Sequence, residues 1–371
     1  MNRRFSVILL ILAMLCALAG CDNSAPSSGA DASGSPVSAQ GQNQETPQNP
    51  AREQAPVTVT MGYMPIPGNA LFMIAKDMGF FEEEGIDAEL LMFKSSGEAV
   101  PALVEGKLDT GCLGTTAIMS RIAQGDDITI YGGQMSEGSG IVTLPENAEL
   151  LFDFANYAGK KLGVVRMSTG DVLFRYALIN AGLTIGEDVE VVELDSPATL
   201  IEATRKGEID AAGVWIPHLA NGEANGLEVA VFSGDVLRTH PCARMVAMSD
   251  KMAENPELFV KIQKACIKAY EVYQNDPQKS IDIMLNYIDL DRAVLEREAY
   301  RNFSTSPSPN QAGCVEFWNE MKTIRYIESD LDINNFVDTE TYTRALDELI
   351  QENPGNSFYQ DLKNSDKAAE Q

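Results

Sequence analysis

Apolar and polar positions alternate over Val57, Val59 and Met61, the period of a half-buried strand. After Pro65 to Gly68 the period changes. Asn69 to Met78 follows helical spacing and stops at Gly79, where glycine suits the residue just past a helix. Ile86 to Phe93 then reads as a strand, and Ser95-Ser96-Gly97 opens a helix that runs out near Gly106. Asp109 to Leu113 and Ile128 to Gly133 read as strands around a helix opened by Gly114-Thr115-Thr116. Strands alternating with helices at this spacing predict right-handed crossovers and a mostly parallel sheet.

The pattern restarts further on. Lys161 to Val165 and Val189 to Leu194 read as strands, with a helix from Ser168-Thr169-Gly170 to Ala181 between them. Asp195-Ser196-Pro197 opens another helix that ends at Gly207, and Ile209 to Trp215 and Leu227 to Phe232 supply further strands. Two segments nearly repeat: ALVEGKLDTGCLG, from Ala102 to Gly114, and ATRKGEIDAAGVW, from Ala203 to Trp215. Each is a helix tail, a capping glycine, a charged residue, Leu or Ile, and an Asp entering a small-residue strand. The repeat predicts two similar lobes of one α/β design. Beyond Ala243 the spacing turns helical over 256–274, 277–286, 292–302, 311–327 and 339–351, and the tail after Asn353 reads as frayed.

Charge and composition narrow the picture. Arg3 and Arg4 precede an apolar run from Phe5 to Ala19, shorter than the roughly 20 residues that span a bilayer. The run ends in Leu18-Ala19-Gly20-Cys21, which resembles the lipobox of bacterial lipoproteins. That resemblance implies cleavage after Gly20, lipidation of Cys21 and, with Asp22 next, retention at the inner membrane. Loss of Arg3 and Arg4 with the leader takes the formal net charge from −26 to −28, which argues against nucleic acid as a partner. Residues from Asp22 to Pro56 are mostly Ser, Ala, Pro, Gly, Gln and Asn, without an aromatic, the composition of a disordered tether. The remaining ~315 residues suffice for two domains. Cys112, Cys242, Cys266 and Cys314 are too far apart for a C-x-x-C pair, and their spacing leaves disulfides and free thiols both open. With two histidines, His218 and His240, a zinc site has little to draw on, and no metal or cofactor is expected.

In a sheet of this kind ligands bind beyond the carboxyl ends of the strands, where helix N-termini converge. Those openings carry Asn69, Ser95-Ser96, Thr115-Thr116, Ser168-Thr169 and Asp195-Ser196. Free N–H groups and short hydroxyls suit an anionic or polar ligand; each Ser or Thr could equally cap its own helix. Five such openings favour a shared pocket, with the Pro65 to Gly68 turn leaving backbone donors free for the ligand.

The phrases GYMPIPGNALFMIAKDMGFFEEEGIDAELLMF, SSGEAVPALVEGKLDTGCLGTTA and DSPATLIEATRKGEIDAAGVWIPHL, in that order, resemble the ABC-importer substrate-binding proteins of the nitrate, sulfonate and taurine group, relatives of the thiamine-pyrimidine-precursor binders. The resemblance covers Val57 to about Val246. It implies a two-lobed type II periplasmic-binding-protein fold, each lobe a mostly parallel sheet flanked by helices, closing on ligand by hinge motion. The implied layout is leader 1–20, tether 21–56, first lobe 57–145, second lobe 146–240, return and C-terminal helices on the first lobe 241–352, and flexible tail 353–371. Crossings fall near Ile141 to Lys160 and Arg238 to Ala243. Carried onto this chain, the ligand pocket takes Tyr63, Pro65 and Asn69, then Ser95, Ser96, Thr115 and Thr116, with Gln134 and Glu137 at the lobe edge. The second lobe adds Arg166, Ser168, Thr169, Asp195 and Trp215. His218 stands where relatives often have a tyrosine.

Arg166 could clamp a sulfonate or carboxylate or stay solvated, and Trp215 could stack on a ligand or belong to the core. His218 reads as a hydrogen-bonding group, and Glu137 or Asp195 could meet a ligand amine. No G-x-S-x-G elbow, G-x-x-x-x-G-K-[ST] loop or H-E-x-x-H motif is present, nor the Cys-rich motif of the yeast-type pyrimidine synthases. The resemblance therefore implies no catalytic residue. It implies a monomer that captures a small solute, foremost a sulfonate such as taurine, for a permease and its ATPase. A heteroaromatic binder, an enzyme of the pyrimidine-synthase branch and a sensor's receptor lobe are the alternatives.

Overall fold

The computed structural model describes residues 55–369, with side chains to 366. The leader, Cys21 and nearly all of the tether lie outside the described residues. Eleven strands form two sheets: β1 (Val57–Tyr63), β2 (Ile86–Met92), β3 (Thr110–Gly114), β4 (Ile128–Glu137), β5 (Ser139–Thr143), β6 (Lys161–Val164), β7 (Glu190–Glu193), β8 (Ala211–Trp215), β9 (Glu228–Phe232), β10 (Pro241–Met248) and β11 (Phe303–Thr305). The first lobe carries the order β11-β4-β10-β3-β1-β2, the second β7-β6-β8-β5-β9.

Strand direction explains the topology. In the first sheet β1, β2, β3 and β4 run one way, with β10 and β11 against them. In the second, β6, β7, β8 and β9 run one way and only β5 opposes them. A chain that leaves one lobe at the carboxyl end of a strand enters the other lobe from the cleft side. Its first strand there must run away from the cleft. Strands β5 and β10, the first after each crossing, are the ones reversed on that account.

Alternation sorts residues between layers. Cys112 and Met245 belong to the cluster under helices Ala70–Asp77 and Pro256–Asn275, while their neighbours Leu113 and Val246 face helices Ser96–Val104, Thr115–Ala123 and Gln311–Thr323. Gly79 takes a φ of +75° just past helix Ala70–Asp77, a conformation that glycine reaches without penalty. The internal repeat is structural. Asp109 donates its N–H to the Thr60 carbonyl and accepts Thr60 N–H at 2.8 Å, fixing the start of β3 against β1. Asp210 does the same with Lys161, at 2.9 and 2.8 Å, between β8 and β6.

Several expectations are corrected. The chain enters the second sheet at Ser139, ahead of the boundary at 145–146 and of a crossing at Ile141 to Lys160. Residues 241–248, to which the sequence reading gave no strand, are a central strand whose apolar pattern is interrupted by a buried arginine, Arg244. The tail read as frayed after Asn353 forms helix Ser357–Ala369, whose buried Tyr359 packs with Val260, Ile267 and Tyr342. All four cysteines of the folded body are free. Among the described residues no helix is long and apolar enough to cross a membrane.

Among the described residues Arg244 has no carboxylate partner. Its Nε donates to the Pro309 carbonyl (3.0 Å), Nη1 to the carbonyls of Met135 (2.7 Å) and Ala243 (2.8 Å), and Nη2 to the Ser136 hydroxyl (2.9 Å). Burial pulls its pKa down, yet a guanidinium stays charged over the physiological range. Replacing Arg244 by Met should strand these buried acceptors and cost roughly 3 to 5 kcal/mol in urea unfolding. Arg244→Lys, with three donors, should recover only part; equal stability of parent and Arg244→Met would contradict this role.

Candidate functional site

The first loop uses most of its own donors. Asn69 is buried; its Oδ1 accepts Met64 N–H at 2.8 Å and its Nδ2 donates to Cys112 Sγ at 3.1 Å. Ile66 and Asn69 donate their N–H groups to the carbonyls of Met64 and Ile66. Within the Pro65 to Gly68 turn, expected to leave backbone donors free, the two prolines carry no N–H and that of Ile66 is taken by the Met64 carbonyl. A Cβ at Gly68 would lie 2.1 Å from Met135 Sδ, so only glycine lets the turn approach β4 this closely. Leu71 donates its N–H to Gln134 Oε1 at 3.2 Å, which leaves Gln134 Nε2 buried and without a partner. Tyr63 packs edge-on against Tyr287, ring centroids 6.0 Å apart, and Pro65 is half-buried.

The next two loops meet the first. Ser96 Oγ accepts Gly114 N–H at 2.7 Å and donates to Met64 Sδ at 3.6 Å, tying three loops together. Ser95 precedes helix Ser96–Val104 without a capping bond from its side chain. Thr115 and Thr116 begin helix Thr115–Ala123 behind Gly114, which has no side chain to cap with. Both threonines are buried and both hydroxyls lack a hydrogen-bond partner. Register brings these groups to Gln134, because β10 lies between β3 and β4 with Ala243 opposite both Gly114 and Met135.

The second lobe reaches the same place. Ser168 caps its own helix, Thr169–Asn180, by accepting Asp171 N–H at 3.1 Å, while Thr169 donates its hydroxyl to the Cys242 carbonyl at 3.4 Å. Trp215 ends β8 opposite Ser139, its ring edge-on to His218 at 5.6 Å. Burial pushes the His218 pKa down to about 4, so this imidazole is neutral at pH 7.

Three expected residues have other surroundings. Glu137 sits in the hinge: its N–H donates to the His240 carbonyl (3.0 Å) and its carboxylate accepts Thr239 N–H (2.8 Å), bonding the two crossings together. Asp195 is exposed. Arg166 is exposed on a groove of about 920 Å³ beside Arg175 and Tyr326. A residue not anticipated from the sequence is His240. It is buried, with Nδ1 2.6 Å from the Leu237 carbonyl, and burial pushes its pKa down to about 4. Nδ1 therefore carries the proton and Nε2 is a bare, unpartnered acceptor. Nothing in the spacing around His240 marked it.

The arrangement suits binding. Burial pushes the Cys242 thiol up to about 11 and raises Cys112 and Cys314 as well, so these thiols are poor nucleophiles. Among the described residues no group of three or more His, Cys, Asp or Glu could hold a metal ion. The hydroxyls differ in a measurable way. In ligand-free protein, Thr115→Val and Thr116→Val should leave urea-unfolding stability unchanged or raise it by about 1 kcal/mol, since no bond is lost and an unpartnered buried hydroxyl is removed. Ser168→Ala should cost about 1 kcal/mol as a lost cap. A large loss in the threonine variants would mean that their hydroxyls have structural partners.

The chain matches the NMT1-like family over residues 52–285. It is 30% identical over 236 residues, 62% of this chain and 72% of the other, to a protein of Brucella abortus (strain 2308) named provisionally as a binding protein. It is 26% identical over 212 residues, 54% of this chain and 62% of the other, to the taurine-binding periplasmic protein of Escherichia coli (strain K12). The crystal structure of the periplasmic aliphatic sulphonate binding protein SsuA from Escherichia coli superposes with a TM-score of 0.66 at 19% identity, covering 78% of this chain and 99% of that one. That likeness establishes the two-lobed periplasmic-binding-protein fold. On the extent of the sequence match, the chain belongs to the NMT1-like family.

Proposed function

We propose that this protein is the substrate-binding component of an ABC importer, capturing a small polar or anionic solute between its lobes and delivering it to a membrane permease driven by an ATPase. The observation that carries the reading is the set of buried, unpartnered groups where the loops of the first lobe meet: the hydroxyls of Thr115 and Thr116 and the Nε2 amide of Gln134. A buried polar group without a partner costs free energy, and a bound ligand is the natural partner. The two threonines sit at the start of a nine-residue helix that has no side-chain cap, where N–H groups and the helix dipole favour an anion. A sulfonate, with three acceptor oxygens and one negative charge, suits two hydroxyls, an amide donor and a helix N-terminus. Taurine is the first choice, and the names of the Escherichia coli relatives support that class. Closure follows if the solute touches both lobes more fully when they are together than when apart.

The Leu18 to Cys21 motif supports a lipid anchor at the inner membrane, with the lobes facing the periplasm. Cys21→Ala should abolish membrane fractionation or leave the precursor uncleaved; a normally processed, membrane-bound Cys21→Ala protein would rule the anchor out.

Native mass spectrometry of the freshly purified protein, followed by calorimetry with taurine and other small sulfonates, tests the ligand class. Thr115→Val should weaken binding by roughly 1 to 3 kcal/mol while leaving the fold intact. A co-purified heteroaromatic, with no heat from any sulfonate, would overturn the sulfonate assignment. Parent affinity in Thr115→Val would remove the threonines from the site.

A further inference from the structure

The two lobes touch through side chains that belong to neither the candidate ligand site nor the hinge. Tyr326 follows helix Gln311–Thr323 of the first lobe, and its hydroxyl donates to Asp171 Oδ2 at 2.7 Å. The Tyr326 hydroxyl oxygen in turn accepts Met167 N–H at 3.0 Å. Met167 and Asp171 are second-lobe residues, the latter fully buried in the first turn of helix Thr169–Asn180. Asp171 Oδ1 accepts Arg175 Nε at 2.6 Å, and Arg175 reaches Glu193 at 2.9 Å. Beside this contact Val172 and Leu173 of the second lobe are buried against Phe317 and Met321 of the first.

A second contact lies toward the other edge of the second sheet, where β9 ends. Glu223, on second-lobe helix His218–Ala224, accepts both terminal nitrogens of Arg301 at 2.9 and 3.0 Å, and Arg297 at 3.2 Å. Arg301 precedes β11 of the first lobe and lies over the Phe232 ring at 5.5 Å. Its other partner is Glu298, fully buried in the first lobe, at 3.2 Å.

We infer that Tyr326 with Asp171, and Arg301 with Glu223, are positioning pairs that hold the lobes together before solute arrives and so set the affinity of the site between them. Tyr326 completes the hydrogen bonding of a buried carboxylate, so parting the lobes there exchanges a dry charge-assisted bond for water. Bidentate geometry and the adjacent ring make the Arg301–Glu223 contact more than a surface pairing. A protein that already populates the closed arrangement loses less of its binding free energy to closure. Its apparent dissociation constant rises in inverse proportion to the closed fraction when a pair is removed.

The inference rests on the capture reading for its purpose, and its measurement uses ligand-free protein. Spin labels at two exposed positions on opposite lobes, Lys94→Cys and Asp195→Cys, report the lobe separation as a distance distribution. Small-angle scattering of the unlabelled protein follows compaction in parallel. Tyr326→Phe removes one hydroxyl, and Glu223→Gln removes one charge. Each should raise the ratio of open to closed molecules about tenfold, with the urea midpoint close to the parent's and a larger effect in the double variant. Unchanged distance distributions in both variants would overturn the inference, as would a ligand-free parent that is chiefly open. Failure of taurine to bind leaves this measurement standing. A parent that binds taurine, beside variants whose lobes stay closed, would sink the latch alone.

Discussion

The fold depends on a buried cation that has no anion. Arg244 lies in the middle of the first sheet and directs its donors at three carbonyls and a hydroxyl. These acceptors come from the end of β4, from β10 and from the segment leading into helix Gln311–Thr323, which are the parts that meet at the hinge. The β4–β10 ladder is irregular there. Ala243 pairs with Met135 but Arg244 pairs with Gly133, so Gln134 is an extra residue in its strand; Cys242 is the extra residue on the other side. A bulge leaves backbone groups without ladder partners and turns side chains out of the pleat. The guanidinium supplies the missing donors, and the bulges place Gln134 and Cys242 where the site needs them. Gln134 points one end of its amide at Leu71 and leaves the other free, while the Cys242 carbonyl receives Thr169 from the opposite lobe.

Two openings that look alike in sequence behave differently for a local reason. Ser168 is extended, at ψ 157°, and its hydroxyl reaches the third N–H of the helix it precedes. At Thr115 and Thr116 the capping position belongs to Gly114, so both hydroxyls stand inside the first turn, beyond the reach of the cap geometry. The distinction turns on one residue of helix boundary, finer than periodicity locates an end. Reading Gly114 as the cap residue would have separated capping hydroxyls from free ones. Asn69 escaped in the same way: its position at a helix start was legible, but its partner Cys112 is distant in sequence.

What periodicity could show, it showed where strands are amphipathic and helices follow at once. Val59 and Met61 are buried as their alternation requires, and the paired aspartates Asp109 and Asp210 made the two-lobed design visible as a repeat. Strands β5, β10 and β11 were hidden for different reasons. β5 is five residues buried throughout, without alternation; β10 carries Arg244 inside an otherwise apolar run; β11 has three residues. Helix Ser357–Ala369 is mostly polar and packs through an apolar patch at Tyr359 against Tyr342 and Leu346 of the preceding helix and Val260 and Ile267 far earlier in the chain. Each of these was decided by tertiary partners, which local spacing does not carry.

The reversed strands make the hinge and the site one structure. Because β5 and β10 each begin at the cleft, the two crossings that feed them must lie at its floor, and there they bond to each other through Glu137 and the backbone of Thr239 and His240. Gln134 lies three residues before Glu137, and His240 belongs to the second crossing, its Nε2 bare. On these crossings Glu137, Gly138 and Thr239 sit at positive φ. In the proposed capture, a group bound at Gln134 lies beside these crossings. Binding can bias closure there only by contacting the closed arrangement better than the open one, and the pivot is where a small displacement of a contact corresponds to a large displacement of the lobe edges.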